Sequence, residues 1–319
     1  AEGTINERLL GCRAKIWEAL SPFSMKLICL SPAEFIHFGT TTELRRLVTA
    51  DVEDYEFLDW KKQVSTTAPE TSAYAAHNSY VGKRARIACG AYLEDSYVLD
   101  ESVVGKGSVI SNVKLRNVTV PENVVLHGLK LLDGRYVVRI YGVEDNPKGT
   151  LEKDAYFLGT TLSAFLSDNG LTPEALWKDR EHYLWFAALY PAADTMEEAI
   201  RSALLVKKMA EHSASPEEIE AWKNKERMSL YSSFNGADVL AISKWQHELE
   251  SRILASKFVW AIEAGTYYKE ALQVFGAHGI SQDIYEMLLE DAGKAVFSLK
   301  IRIYYALAKC MKETRITFG

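Results

Sequence analysis

No two glycines are adjacent anywhere in this chain of 319 residues, so the doublet-containing loops that cradle nucleotide phosphates are missing. A P-loop and a Gly-x-Ser-x-Gly elbow are missing too, which removes two common routes to phosphoryl and acyl transfer. The four cysteines, Cys12, Cys29, Cys89 and Cys310, are scattered and include no Cys-x-x-Cys, so neither zinc nor a disulfide framework is expected. They read as buried thiols in a reducing compartment. The histidines are dispersed, and no His/Asp/Glu spacing suggests a metal site. No stretch approaches the roughly 18 apolar residues of a membrane helix, and the N-terminus has no charged-then-apolar leader. A net charge of −6 argues against a nucleic-acid or anionic-membrane surface. The reading is a cytoplasmic, soluble chain, with 48% hydrophobic residues to fill its cores.

What is present is a period. Val81, Ile87 and Leu93 fall six apart, and Val98, Val104 and Ile110 repeat the row seventeen residues later; a third row starts at Leu115. Val81-Gly82, Val104-Gly105 and Gly107 add the apolar–glycine pattern of hexapeptide repeats. Such repeats make short strands joined by tight turns, three to a coil, with the apolar residue pointing inward. A meander of short strands also alternates valine with polar residues, but a fixed seventeen-residue offset favours a left-handed parallel β-helix. Its few coils leave two open ends, on which the rest of the chain must dock. Gly105-Lys106-Gly107 reads as corners, and Lys83, Arg84 and Arg86 as a solvated basic corner.

Upstream, a helix is expected over 4–20, stopped at Ser21-Pro22, then a buried strand over 25–30 and a second strand over 34–38. Phe35-Ile-His-Phe-Gly-Thr-Thr sits where that strand turns into a helix over 43–48, capped by Thr41 or Thr42. Backbone N–H groups at such a turn can receive an anion, and most such turns are structural. Residues 50–79 read as a long connection. Downstream, 135–141 alternates as a strand added to the end of the coil. It runs into Gly142-Val-Glu-Asp-Asn-Pro-Lys-Gly149, where Asp145 and Lys148 either brace the turn or meet a ligand. Helices follow, opened by Thr195/Glu198 and Ser215/Glu218, then a long one over 242–260. Another of around thirty residues runs from the Ser281 cap through Ala306. The fold class is a multidomain α+β chain: an α/β part over 1–75, the β-helix over 76–148, and an all-helical domain over 149–319.

The string Gly142-Val-Glu-Asp-Asn-Pro-Lys-Gly-Thr-Leu-Glu-Lys-Asp154, with Phe157-Leu-Gly159, Leu166-Ser-Asp-Asn-Gly-Leu171 and Ala188-Leu-Tyr-Pro191, resembles bifunctional L-fucokinase/GDP-fucose pyrophosphorylases. Phe35-Ile-His-Phe-Gly-Thr-Thr-Thr-Glu43 is similar to another segment of that family. The resemblance implies the middle of such an enzyme: the end of a nucleotidyltransferase domain, its β-helix, and a helical linker before a sugar kinase. Those two domains are its implied partners, and Mg²⁺ with GTP or ATP is implied for a longer member, with no cofactor or metal in this chain. The turn at His37, Gly39 and Thr40 resembles one that faces sugar phosphate in sugar nucleotidyltransferases. His37 replaces the aspartate that helps hold metal there. Asp145, Asn146 and Lys148 complete the candidate contacts. With neither nucleotide loop, no catalytic residue is assigned, and this chain alone is expected to be an inactive scaffold. The alternative is a hexapeptide-type acyltransferase using His127, its only candidate, as base.

Overall fold

The computed structural model describes residues 7–24, 26, 28–29 and 39–312. The chain divides into two units, residues 1–38 and 39–319. The first contains α1 (Glu7–Leu20), the helix expected over 4–20. Of the strand expected over 25–30, Met25, Leu27 and Leu30 lie outside the described residues, and Ile28 and Cys29 are exposed. The strand over 34–38, including His37, lies outside the described residues.

The second unit opens with α2 (Thr41–Thr49), capped by Thr40 rather than by Thr41 or Thr42. The residues after it are not a bare connection. A 3₁₀ segment, Asp51–Leu58, leads to β1 (Gln63–Thr66), which pairs in parallel with β2 (Ala75–Val81). Then comes the coil. The strands β3 (Arg86–Ile87), β4 (Tyr92–Glu94), β5 (Tyr97–Val98), β6 (Val103–Val104), β7 (Val109–Ser111), β8 (Lys114–Leu115), β9 (Thr119–Val120) and β10 (Val124–Lys130) wind in about four turns of parallel β-solenoid.

The register shows the period directly. Leu93 pairs with Ala76 and Ile110, Val98 with Val81 and Leu115, and Val104 with Ile87, each at an offset of seventeen. The next turn is one residue shorter: Val120 pairs with Val104, and Leu126 with Ile110. The inward residues therefore stack in three columns, and Leu93, Val98, Val104, Ile110, Leu115 and Leu126 are fully buried. Burying a side chain of this size contributes about 1.5–3 kcal/mol. The corners repeat as well. Asn78, Asp95 and Asn112 stand one above another at φ of 41, 46 and 52°, and Gly90, Gly107 and Asn123 at 71, 66 and 54°. Left-handed backbone is cheap for Gly and tolerable for Asn and Asp, which is why these residues sit there. Gly128 continues the first corner for a different reason: a Cβ would lie 2.4 Å from the Asn112 carbonyl oxygen.

Both ends of the coil are covered. At the start, the Thr66 and Thr67 hydroxyls donate to the carbonyls of Ser79 (2.5 Å) and Val81 (3.0 Å). At the finish, β11 (Tyr136–Gly142) folds back antiparallel on β10, as the alternation over 135–141 predicts. The remainder is mostly helical but not entirely so. A small hairpin, β12 (Tyr156–Phe157) with β13 (Thr160–Thr161), precedes α3 (Leu162–Asp168) and α4 (Pro173–Trp177). Then β14 (Tyr190–Ala193) pairs with β11 and with β15 (Arg227–Met228), so the coil's sheet runs on into the segment expected to be all-helical. The reason is the exposed edge of β11, whose backbone groups need partners. Around these strands lie α5 (Met196–Ala210), α6 (Pro216–Lys223), with the Ser215/Glu218 box intact, and α7 (Leu230–Asn235). Phe157, Trp177, Tyr190 and Trp222 join the coil interior in one continuous core.

The long helix α8 (Val239–Ala264) starts against the coil and ends in a second core. That core is completed by α9 (Tyr268–Ala271), α10 (Gln282–Lys294) and α11 (Phe297–Lys312). Ser281 caps α10 as expected. The single thirty-residue helix, however, breaks at Ala295, which is extended at ψ 155°. Folding back lets Ile284 and Leu288 share one core with Ile303 and Leu307, which a straight rod would separate.

Candidate functional site

His37 lies outside the described residues; the other candidates, on the α2 turn and the 142–149 turn, flank the outer face of the coil. Along β2, β4, β7 and β10 the side chains alternate, and Ala75, Tyr92, Val109 and Val125 point away from the interior. Helix α2 lies over them through Val48, and Val143 closes the patch. The Thr42 hydroxyl donates to the Val143 carbonyl at 3.2 Å, so the start of α2 and the 142–149 turn are neighbours.

At the α2 turn a reciprocal capping box is formed. Thr40 Oγ1 accepts from the Glu43 N–H (3.2 Å), and Glu43 Oε2 accepts from the N–H groups of Gly39 (2.8 Å) and Thr40 (2.9 Å). The donors that could receive an anion thus already hold the protein's own carboxylate. In the neighbouring turn, Asp145 Oδ2 accepts from the N–H groups of Gly142 (2.5 Å) and Leu158 (2.9 Å). Burial nonetheless pushes its carboxyl above the ordinary range, against the pull of those two bonds. Asn146 Oδ1 accepts from the Lys148 N–H (3.0 Å), and the side chains of Asn146 and Lys148 are exposed. Asp145 braces; Asn146 and Lys148 face outward.

A row of polar residues on the same outer face was not anticipated. The sheet register places His77, Glu94, Ser111, His127 and Arg139 side by side across five strands. Ser111 Oγ donates to Glu94 Oε2 (3.0 Å), and Arg139 Nη2 donates to His127 Nδ1. Burial, together with the adjacent guanidinium, lowers the His127 imidazole to about 3. With Nδ1 already accepting and the ring held neutral, this geometry lends no support to His127 as an acyltransferase base. Arg139 is 6% exposed; its Nε has no partner, and among the described residues no carboxylate pairs with it. The signal was present in the sequence: steps of 17, 17 and 16 from His77 land on Glu94, Ser111 and His127.

Cys12, Cys29 and Cys89 are exposed and only Cys310 is buried, a correction to the reading of four buried thiols; Cys89 falls at a coil corner, which projects outward. Among the described residues no group of three or more His, Cys, Asp or Glu is placed to hold a metal ion. No helix among the described residues is long and apolar enough to cross a membrane.

A parallel β-coil closed by a strand hairpin and helices, with self-capped turns on its outer face, defines a coil-and-helix module. Its sequence specifies which one. The fucose pyrophosphorylase domain model matches residues 2–195, more than half of the chain, and the chain belongs to that family. It is also similar to the bifunctional fucokinase/GDP-fucose pyrophosphorylase of Arabidopsis thaliana, 27% identical over 222 residues. That match covers 63% of this chain and 20% of the relative, so the chain spans about a fifth of the length of the relative it matches.

Proposed function

We propose that this chain is the structural middle of a fucose-salvage enzyme, in which the coil and helices position a nucleotidyltransferase domain beside a sugar kinase. The observation that carries the reading is the match to the fucose pyrophosphorylase domain over residues 2–195. The bonding of the candidate turns supports it: the Gly39 and Thr40 N–H groups are taken by Glu43, and Asp145 holds Gly142 and Leu158. Groups used in this way serve positioning rather than turnover. The coil is read as left-handed and of the hexapeptide class, in keeping with inward residues spaced six, six and five apart. Boundaries near 75 and 148 and a cytoplasmic location complete the proposal.

Contact with the sugar phosphate falls to His37, with Asn146 and Lys148 exposed on the turn beside α2, while Gly39 and Thr40, whose N–H groups hold Glu43, shape the α2 turn. His37, Asn146 and Lys148 orient the ligand's anion, while the nucleotide is held by loops that this chain lacks. Catalysis with Mg²⁺ and GTP or ATP belongs to the partner domains. The test is the His37→Ala and Lys148→Ala pair in a family member that carries the nucleotidyltransferase part. KM for fucose 1-phosphate should rise several-fold while kinase activity stays unchanged. An unchanged KM in both variants rejects the contact.

A further inference from the structure

We propose that a cleft between the coil and the helices, on a different face from the candidate turns, binds a phosphorylated ring compound. The site is argued from its geometry alone, and only the choice of ring compounds used as probes rests on the proposed function. The cleft has a volume of about 570 Å³, within the range of small-molecule sites. Its wall is aromatic. Tyr80 and Tyr97 are register partners on β2 and β5 with ring centroids 5.9 Å apart, and Trp260 of α8 lies 6.0 Å from Tyr80.

Charge decides the kind of ligand. Three carboxylates line the cleft, and each is already paired: Glu263 with Lys83 (2.6 Å), Asp100 with Arg84 (3.3 Å) and Asp291 with Arg252. Lys114 and Arg116, at the edge of the coil, line the same cleft and have no carboxylate partner among the described residues. The Lys114 ammonium is held 5.3 Å from the Tyr97 ring centroid rather than by an anion. In a chain of net charge −6 this is a local surplus of positive charge. Phosphate oxygens satisfy such cations through charge-assisted hydrogen bonds. The flat face of a base, or the apolar face of a pyranose, fits against Tyr80 and Trp260. Sugar phosphates and nucleotides share this chemistry.

Isothermal titration of the purified chain with fucose 1-phosphate, guanosine diphosphate and inorganic phosphate tests the proposal. At least one ring compound should bind with one-to-one stoichiometry, more tightly than inorganic phosphate, and more weakly as salt is raised. The tighter of the two identifies the source. Lys114→Ala/Arg116→Ala should weaken that binding about tenfold or more, as expected for the loss of charge-assisted bonds. The exchange Lys114→Arg/Arg116→Lys should retain most of it, and Trp260→Leu should lower the advantage over inorganic phosphate. Circular dichroism confirms that each variant is folded. No binding of either ring compound overturns the proposal. So does equal affinity in the double alanine variant, or inorganic phosphate binding as tightly as both.

Discussion

Val98 in the coil and Ile303 in α11 are both fully buried, but they are held by different kinds of neighbour. Val98 packs between Val81 and Leu115, its partners one turn below and above, at a fixed step in sequence. Ile303 shares its core with Ile284, Leu288 and Phe258, from helices whose separation in sequence follows no period. In the coil, each turn is both floor and ceiling for another, so one defect is felt by two turns. In the helical core the same defect stays within one packed cluster. Regular stacking thus makes the coil readable and cooperative, whereas the helical core depends on where the chain reverses.

The largest expected effects come from cutting into each core. Ile110→Ala and Ile303→Ala should each cost about 2–5 kcal/mol, measured by denaturant unfolding. Hydrogen exchange separates the two regions: the first change should expose amides on both flanking turns, at Leu93 and Leu126, and the second only amides of α8, α10 and α11. Equal spread in both variants would show that the two cores transmit a defect alike. Next is Asp145→Ala, which orphans the N–H groups of Gly142 and Leu158 where the coil passes into the helical segment. It should cost about 1–3 kcal/mol. Asn112→Val places a branched side chain at φ 52° in the corner ladder and should cost about 1–2 kcal/mol. Thr40→Ala removes the α2 cap and should cost about 1 kcal/mol.

The pH response sharpens the same contrast, because the shifted imidazole lies in the coil's sheet. His127 has a folded pKa of about 3 against an ordinary 6.5, so the unfolded chain binds its proton more readily between these values. Stability from this group is fully present above about 6.5 and is lost as pH falls toward about 3. His127→Gln should flatten that part of the stability–pH curve. A curve of unchanged slope would place the acid sensitivity elsewhere. The smallest effect is expected from His37→Ala, which should leave the melting temperature of this chain nearly unchanged.

The coil was legible because its contacts follow the chain: a step of seventeen is a packing rule as well as a spacing. Caps at Ser215 and Ser281 were legible for the same local reason. The one-residue shortening between Val104 and Val120 was not, because Asn117 absorbs it at a corner with φ of 51° and leaves the apolar row intact. The break at Ala295 was hidden because α10 and α11 carry one continuous helical stripe, and only tertiary packing requires a reversal. Strands β14 and β15 answer to the edge of β11 rather than to their own composition. Of the candidate site, the turns were found but the use of Glu43 as internal anion was not read from the sequence. The polar row from His77 to Arg139 needed the strand register, although its spacing was there to be counted.

On the function we propose, this chain supports fucose-salvage chemistry without performing it. Purified chain incubated with Mg²⁺, fucose 1-phosphate and GTP should form no GDP-fucose above a protein-free blank. With fucose and ATP it should form no fucose 1-phosphate. Product formation above blank in either mixture, scaling with the amount of chain, would show that the chain is itself catalytic.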